Sequence, residues 1–195
     1  MHVVLLGDSI FDNGSYTRGE PDVVTHLRSV LPAGARATLC AVDGATTAAL
    51  ARQVTRMPQD ATHLVVAIGG NDALGNVDLL DRRVSSTAEA LALFADRVDA
   101  FEAAYQSALA PVLALGRRTA VCTIYNGNLD PTRARIARVA LTLFNDVIVR
   151  FGFEHRLPVI DLRLVCCDAS DYANPIEPSG PGGLKIARAI ADTID

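Results

Sequence analysis

Five short apolar runs alternate along the chain with longer segments whose apolar residues recur at helical spacing. The third run, HLVVAI, is the continuous kind typical of a strand buried on both faces of a sheet. Strand and helix patterns in strict alternation indicate a parallel sheet with right-handed crossover helices on both faces. We therefore predict an α/β fold, a three-layer α/β/α sandwich around a five-stranded parallel sheet, with strands at residues 2–6, 37–42, 63–68, 119–125 and 157–161.

The helical segments between these runs fill most of the remaining chain. Long helices are expected from residue 86 to about 115 and from residue 132 onward, with Ile136, Val139 and Phe151 on one apolar face of the second. Residues 71–83 are polar and are expected to form a loop. With 195 residues, half of them hydrophobic, and no repeat or low-complexity linker, the chain is predicted to be one domain spanning residues 1–195.

The charge pattern disfavours some partners. The net charge is −4, and the arginines are scattered rather than clustered, so nucleic-acid binding is not expected. No apolar run approaches the ~20 residues that a membrane span needs. Because the first strand begins at residue 2, no secretion signal is expected in front of it, and we predict a soluble cytoplasmic protein without a membrane partner. The pattern predicts no particular oligomeric state.

The four cysteines are expected to be structural thiols. Cys40 and Cys122 fall in predicted core strands, where a free cysteine behaves as a small hydrophobic residue. Cys166 and Cys167 are adjacent, which is not a zinc-ligand spacing, and no histidine cluster accompanies them. We predict no disulfide framework and no metal site.

Three residues that could take part in catalysis follow three successive strands. Ser9 comes after the first strand, Gly44 after the second and Asn71 after the third. The carboxyl ends of parallel strands meet at one edge of a sheet, which is where open α/β folds bind ligands. Acyl transfer needs a nucleophile and hydrogen-bond donors for the oxyanion. The Ser9 hydroxyl could be the nucleophile, and the Gly44 N–H and the Asn71 carboxamide could be the donors.

The three motifs that contain these residues resemble the SGNH/GDSL hydrolase family. They are Gly-Asp-Ser-Ile at 7–10, Gly44 within Asp-Gly-Ala-Thr-Thr, and Gly-Gly-Asn-Asp at 69–72, and the resemblance extends over essentially the whole chain. It implies a flavodoxin-like sandwich, Ser9 as nucleophile, and an oxyanion hole formed by the backbone N–H groups of Ser9 and Gly44 and the side chain of Asn71. It also implies a small-molecule ester as substrate, with no metal or other cofactor.

The fourth motif of the family departs from its usual form. The family has Asp-x-x-His just before the last helix, whereas this chain has Asn174 and Glu177 at those positions, in a frame recognisable from Pro178, Ser179 and Gly183. None of the four histidines is a convincing substitute by its position in the pattern. The usual general base is therefore missing from its place.

Glu177 has two interpretations that its spacing does not separate. It is the base, with a pKa raised by burial and the Asn174 amide orienting it, or it caps the backbone of the last helix in a site that has lost catalysis. The two corresponding functions are a serine ester hydrolase acting on small acyl esters and a non-catalytic binding or regulatory domain. A nucleotide-binding fold is not supported, because neither Gly-x-Gly-x-x-Gly after the first strand nor Gly-Lys-Ser/Thr occurs.

Overall fold

The computed structural model describes residues 1–194 and has the predicted α/β/α architecture. One sheet contains five parallel strands in the order β2-β1-β3-β4-β5. The strands are β1 (His2–Gly7), β2 (Arg36–Leu39), β3 (His63–Ala67), β4 (Arg118–Cys122) and β5 (Val159–Ile160). The helices are α1 (Val23–Val30), α2 (Leu50–Val54), α3 (Gly70–Leu74), α4 (Thr87–Ala114), α5 (Pro131–Glu154), α6 (Leu162–Val165) and α7 (Gly180–Ile194). The predicted fold class is confirmed.

Two apolar layers hold the helices to the sheet. Side chains alternate across a strand, so Val3 and Leu5 of β1 face one layer while Val4 and Leu6 face the other. The first layer is completed by α1 and α7, and the second by α2, α4 and α5. All four of these β1 side chains are fully buried, so β1 is a central strand, and the turn that follows it is held firmly.

The helices α4 and α5 are much longer than the strands against which they pack. At about 1.5 Å per residue their 28 and 24 residues span roughly 42 and 36 Å, whereas a five-residue strand spans roughly 17 Å. Every buried residue of α4 lies at Phe101 or later, and every buried residue of α5 at Phe144 or later. Both helices start at the carboxyl edge of the sheet, so their first halves project beyond that edge.

This overhang corrects part of the sequence interpretation. Phe151 is buried, but Ile136 and Val139 of the same predicted apolar face are 49% and 66% exposed, because the sheet does not reach the first turns of α5. The polar segment predicted as a loop contains α3 and a short 3-10 helix, Val77–Asp81. The predicted fourth strand also ends early, at Cys122, since the backbone of Ile124 pairs with a side chain from α5 instead of with a strand.

Two further properties concern the chain as a whole. Within residues 1–194, no helix is both long enough and apolar enough to cross a membrane. All four cysteines are free, and Cys167 alone among them is exposed.

Candidate active site

The turn after β1 is built around a glycine that no other residue can replace. Gly7 has φ +134°, and a Cβ on it would lie 1.8 Å from the carbonyl oxygen of Ala67 on β3. The close approach lets the Asp8 N–H donate to that same oxygen at 3.1 Å. The chain then turns so that Ser9, which is 8% exposed, lines a cleft at the carboxyl edge of the sheet.

A buried side-chain amide that the sequence interpretation missed holds this turn. Gln53 of α2 accepts from the Gly7 N–H at 2.8 Å and donates to the Gly7 carbonyl at 2.7 Å. The backbone groups of Gly7 are thereby satisfied where regular strand pairing ends. Gln53 is 2% exposed. A polar residue on an otherwise buried helix face was the one sign of this role in the sequence.

The loops after β2 and β3 are tied to each other and to the Ser9 turn. The Asn71 Nδ2 donates to the Ala45 carbonyl at 2.9 Å, and the Asp72 carboxylate accepts from the Thr47 hydroxyl at 2.7 Å. On the other side, the Val42 N–H donates to the Gly7 carbonyl at 3.1 Å. The segment that contains Gly44 is therefore fixed between the first and third motifs.

Two backbone N–H groups at this edge make no hydrogen bond within the described part of the protein. Within residues 1–194, neither the N–H of Ser9 nor the N–H of Gly44 donates to a protein acceptor. Gly44 has φ +75°, a conformation that favours glycine, and its Cα faces open space. The structure thus brings Ser9, Gly44 and Asn71 to one edge, with two N–H groups and one amide available to a bound group.

Glu177 lies in the same cleft as Ser9. It is 6% exposed, and its Oε2 has no hydrogen-bond partner. Burial raises the pKa of the Glu177 carboxyl, the nearby Ser9 hydroxyl lowers it, and the charge of Asp43 raises it again, so the net direction is upward. The hydroxyl and carboxyl are neighbours without a hydrogen bond of ordinary length and angle.

The capping role considered for Glu177 is wrong. The side chain that caps α7 is Ser179, whose Oγ accepts from the Gly182 N–H at 3.2 Å. The Asn174 amide does not orient the Glu177 carboxyl either: its Oδ1 accepts from the backbone N–H of Ile176 and of Glu177, both at 2.9 Å. Asn174 therefore shapes the turn before Glu177 through the backbone.

A second buried amide keeps the Glu177 segment against the Ser9 loop. Asn13 is fully buried, donates to the Pro178 carbonyl at 3.1 Å and accepts from the Val23 N–H at 3.0 Å. The sequence analysis placed Asn13 in an ordinary turn-rich loop and assigned it no role. Because these partners are 10 and 165 residues away, no local pattern reveals them.

Asp8 places a second buried carboxyl beside Ser9. Its Oδ1 accepts from the Ile10 N–H at 3.0 Å, and its Oδ2 has no partner. Burial raises the pKa of Asp8 to about 7; the Ile10 hydrogen bond opposes this shift, and the charges of Glu177 and Asp72 add to it. Asp8 therefore keeps its proton to a higher pH than an ordinary aspartate does.

The cleft itself has a volume of about 580 Å³ and mostly apolar walls. Ser9, Asn71 and Glu177 line it together with Tyr125, Asn126 and Gly127 of the loop after β4. None of the four histidines reaches the cleft (His2, His26, His63 and His155). Among residues 1–194, no three His, Cys, Asp or Glu side chains are arranged to hold a metal ion.

Comparison with known proteins gives a family and a fold. The sequence profile of the GDSL-like lipase/acylhydrolase family matches residues 5–182. Among curated proteins, no sequence matches this chain significantly.

Solved structures match over nearly the whole length. An extracellular lipase from Streptomyces rimosus is 18% identical, with 99% of each chain covered and a TM-score of 0.71. A lipase from a goat rumen metagenome is 17% identical, with 100% of this chain and 97% of the other covered and a TM-score of 0.75. Phospholipase A1 from Streptomyces albidoflavus is 17% identical, with 98% of each chain covered and a TM-score of 0.71. At these identities the likeness concerns the fold.

Proposed function

The chain belongs to the GDSL-like lipase/acylhydrolase family, and we propose that it is a serine esterase that hydrolyses small-molecule acyl esters with Ser9 as nucleophile and Glu177 as base. Membership in this family supports an ester hydrolase in general terms. The observation that carries the specific proposal is that Ser9, Asn71 and the buried Glu177 carboxyl line one cleft, where the Ser9 N–H donates to no protein acceptor. The Gly44 N–H, also without a protein acceptor, belongs to the neighbouring segment that is tied to the Ser9 and Asn71 turns.

In the first half of the reaction, the Ser9 hydroxyl oxygen attacks the ester carbonyl carbon and its proton passes to the Glu177 carboxylate. The carbonyl oxygen becomes an oxyanion, which accepts hydrogen bonds from the Ser9 and Gly44 N–H groups and from the Asn71 amide. When the intermediate collapses, the bond to the alkoxy group breaks and the protonated Glu177 returns the proton to the leaving alcohol. Ser9 then carries the acyl group.

Hydrolysis of this acyl-enzyme repeats the same proton movements. Glu177 accepts a proton from water as the water oxygen attacks the acyl carbon, the same three donors hold the oxyanion, and the bond to Ser9 breaks as its oxygen recovers the proton. The products are the carboxylic acid and free Ser9. No group beyond the ester and water is consumed.

Burial is what makes a carboxylate usable as this base. An ordinary Glu has a pKa of about 4.3 and accepts protons poorly at neutral pH, so the raised pKa of Glu177 improves the match to its task. The raised pKa of Asp8 also helps, because a proton retained on Asp8 removes one negative charge from beside the developing oxyanion.

A second candidate function is a non-catalytic domain that binds an anion or carboxylate at the oxyanion donors. The observation in its favour is the presence of Asn174 and Glu177 where the family has Asp and His. It predicts ligand binding without any acyl-enzyme at any pH, and a trapped acyl group on Ser9 would exclude it.

The direct test is turnover of p-nitrophenyl butyrate by wild type and Ser9→Ala. We expect a loss of at least about 10³-fold, since Ser9 forms the covalent intermediate. Ser107→Ala, an exposed serine of α4, is the matched control and should retain wild-type turnover. Equal turnover by Ser9→Ala and wild type would remove Ser9 from the mechanism.

A further inference from the structure

The overhanging half of α5 presents a continuous apolar stripe to the cleft. The lining residues of this helix recur at helical spacing along one face: Arg133, Ile136, Ala137, Ala140, Leu141 and Phe144. The two residues in the middle of the stripe, Ala137 and Ala140, are small. Their size leaves a channel along the helix surface where larger side chains would close it.

A second part of the cleft wall is also apolar and is not buried by folding. Leu74 of α3 and Val77 and Leu80 of the following 3-10 helix are 46%, 58% and 40% exposed, and all three line the cleft. Ile136 and Ile176, likewise exposed, line it too. A contiguous surface of large apolar side chains is costly in water and marks a binding site.

The inner end of this channel reaches the candidate active site. A Cβ on Gly69 would lie 2.9 Å from the Phe101 ring and 3.6 Å from Ile124, and Phe101 packs edge-on against Phe144 at 5.3 Å. Ile124 and Phe101 therefore lie next to Gly69, and Phe101 connects that turn to Phe144 of α5. From Phe144 to Arg133 the helix rises roughly 16 Å, at about 1.5 Å per residue. The volume of about 580 Å³ is that of a pocket for an extended ligand rather than for an acetyl group.

The polar side of the site lies in another direction. The charge of Asp43 acts on Glu177, and Asp43 is bonded to the Tyr16 hydroxyl at 2.7 Å and, through its N–H, to Asp12 at 2.9 Å. In the proposed mechanism Glu177 protonates the leaving alcohol, so the alcohol belongs on this acidic, solvated side. The apolar channel is left for the acyl group.

We propose that the preferred substrates carry a long, unbranched aliphatic acyl chain, of about eight carbons or more, that lies along the α5 stripe between Ala137, Ala140 and the Leu74–Leu80 wall. The inference rests on the proposed esterase function, because it assigns the acyl side of that reaction. It replaces the expectation of small acyl groups drawn from the sequence, which contained no information on the channel.

The test measures chain binding without catalysis. Linear methyl ketones from 2-octanone to 2-dodecanone offer a neutral carbonyl and one alkyl chain, and cannot be hydrolysed. Dissociation constants are measured by calorimetry with wild type, Ser9→Ala, Ala140→Phe and Val139→Phe. Val139 lies beside Ala140 on the same helix but is 66% exposed and outside the cleft, which makes it the matched control.

Each added methylene should tighten binding to wild type about fourfold, or roughly 200-fold over the series, from the burial of apolar area. The same gain is expected for Val139→Phe and Ser9→Ala, whereas Ala140→Phe should reduce it to less than about tenfold, since its ring occupies the channel. If Ala140→Phe unfolds, Ala137→Phe provides the same block one turn away.

Two results would overturn the inference: affinity independent of chain length in wild type, or an equal length dependence in Ala140→Phe and Val139→Phe. Failure of the esterase function is seen separately, as absence of ester turnover by wild type. Length-dependent ketone binding together with such absence would support the channel and reject the reaction. Ester turnover by wild type together with ketone affinity that does not depend on chain length would support the reaction and reject the channel.

Discussion

The two sides of the cleft are built by different means. On the side of Ser9, short polar contacts fix the main chain: Gln53 holds Gly7, Asn13 holds Pro178, and Asn71 holds Ala45. On the side of α3 and α5, exposed apolar side chains form the wall, and the lining side chains of Ala137, Ala140 and Leu141 have no polar group. Directional hydrogen bonds suit the placement of donors for one oxyanion, whereas non-directional apolar contact suits a chain of variable length.

The two sides of the cleft also differ in their charged residues. The edge that contains Ser9 has two buried carboxyls, Asp8 and Glu177, each with an oxygen that has no partner, and burial raises the pKa of both. The apolar channel has charged residues only among its exposed lining positions, Asp81 and Arg133. Substitutions at the edge should therefore change rate and pH dependence, and substitutions in the channel should change the preference for chain length.

The largest effect should come from Glu177→Gln, which keeps the size of the side chain and removes its basicity. We expect kcat to fall by about 10²- to 10⁴-fold. In wild type, activity should fall as the pH is lowered through the raised pKa of Glu177, because protonation removes the base; the variant should lack this acidic limb. Glu154→Gln, at the exposed end of α5, is the control. An unchanged acidic limb in Glu177→Gln would assign the base elsewhere.

A somewhat smaller loss is expected for Asn71→Ala. Removing one oxyanion donor costs about 10²- to 10³-fold in kcat, and the effect on KM should be small because the bond strengthens in the transition state. Steady-state kinetics with a single ester separate the two parameters. A rise in KM at constant kcat would mean that Asn71 only binds the substrate.

Asp8→Asn should change the pH dependence of stability. Because the folded pKa of Asp8 is about 7, above the ordinary value of 3.8, the folded state holds this proton more tightly than the unfolded chain. The associated stability is present below pH ~4 and is lost as the pH rises towards 7, up to about 4 kcal/mol in total. Asparagine cannot ionise, so urea unfolding at pH 5 and pH 8 should show wild type losing stability relative to Asp8→Asn. A constant difference would contradict the raised pKa.

The smallest of these effects is expected for Gln53→Met, which leaves the Gly7 N–H without a partner and removes one of the two donors to the Gly7 carbonyl. The free energy of unfolding should fall by about 1–3 kcal/mol. The reaction of Ser9 with a fluorophosphonate should also be slower, because the turn that carries Ser9 is held less firmly. Gln106→Met, an exposed change on α4, should do neither. Full stability in Gln53→Met would show that water replaces the amide at no cost.

Much of the fold followed from the sequence because alternating strand and helix patterns admit few arrangements. The pattern also predicted that the segments of Ser9, Gly44 and Asn71 meet at one edge. It did not predict how far the sheet extends, so it did not separate Ile136 and Val139, which lie on the overhang, from the buried Phe151 on the same helix face. Helical spacing identifies an apolar face but not what covers it.

The contacts that hold the site were the least predictable part. Asn13 and Gln53 act on residues distant in the sequence, and Asn145 does the same for Ile124, with its Oδ1 accepting from that backbone N–H at 2.7 Å. Each looks like an isolated polar residue in its own segment. The helical nature of residues 70–81 was missed for a related reason, since Gly, Asn and Asp are weak helix formers and tertiary contacts decide the outcome.

The most direct test of the central claim is labelling with an ethyl fluorophosphonate, read by intact mass, on wild type, Ser9→Ala and Glu177→Gln from pH 5 to 9. We predict one added phosphonyl group on wild type, none on Ser9→Ala, and much slower addition to Glu177→Gln, with the wild-type rate rising with pH as Glu177 loses its proton. Equal labelling of Ser9→Ala, or no labelling of wild type at any pH, would contradict the assignment of Ser9 as an activated nucleophile.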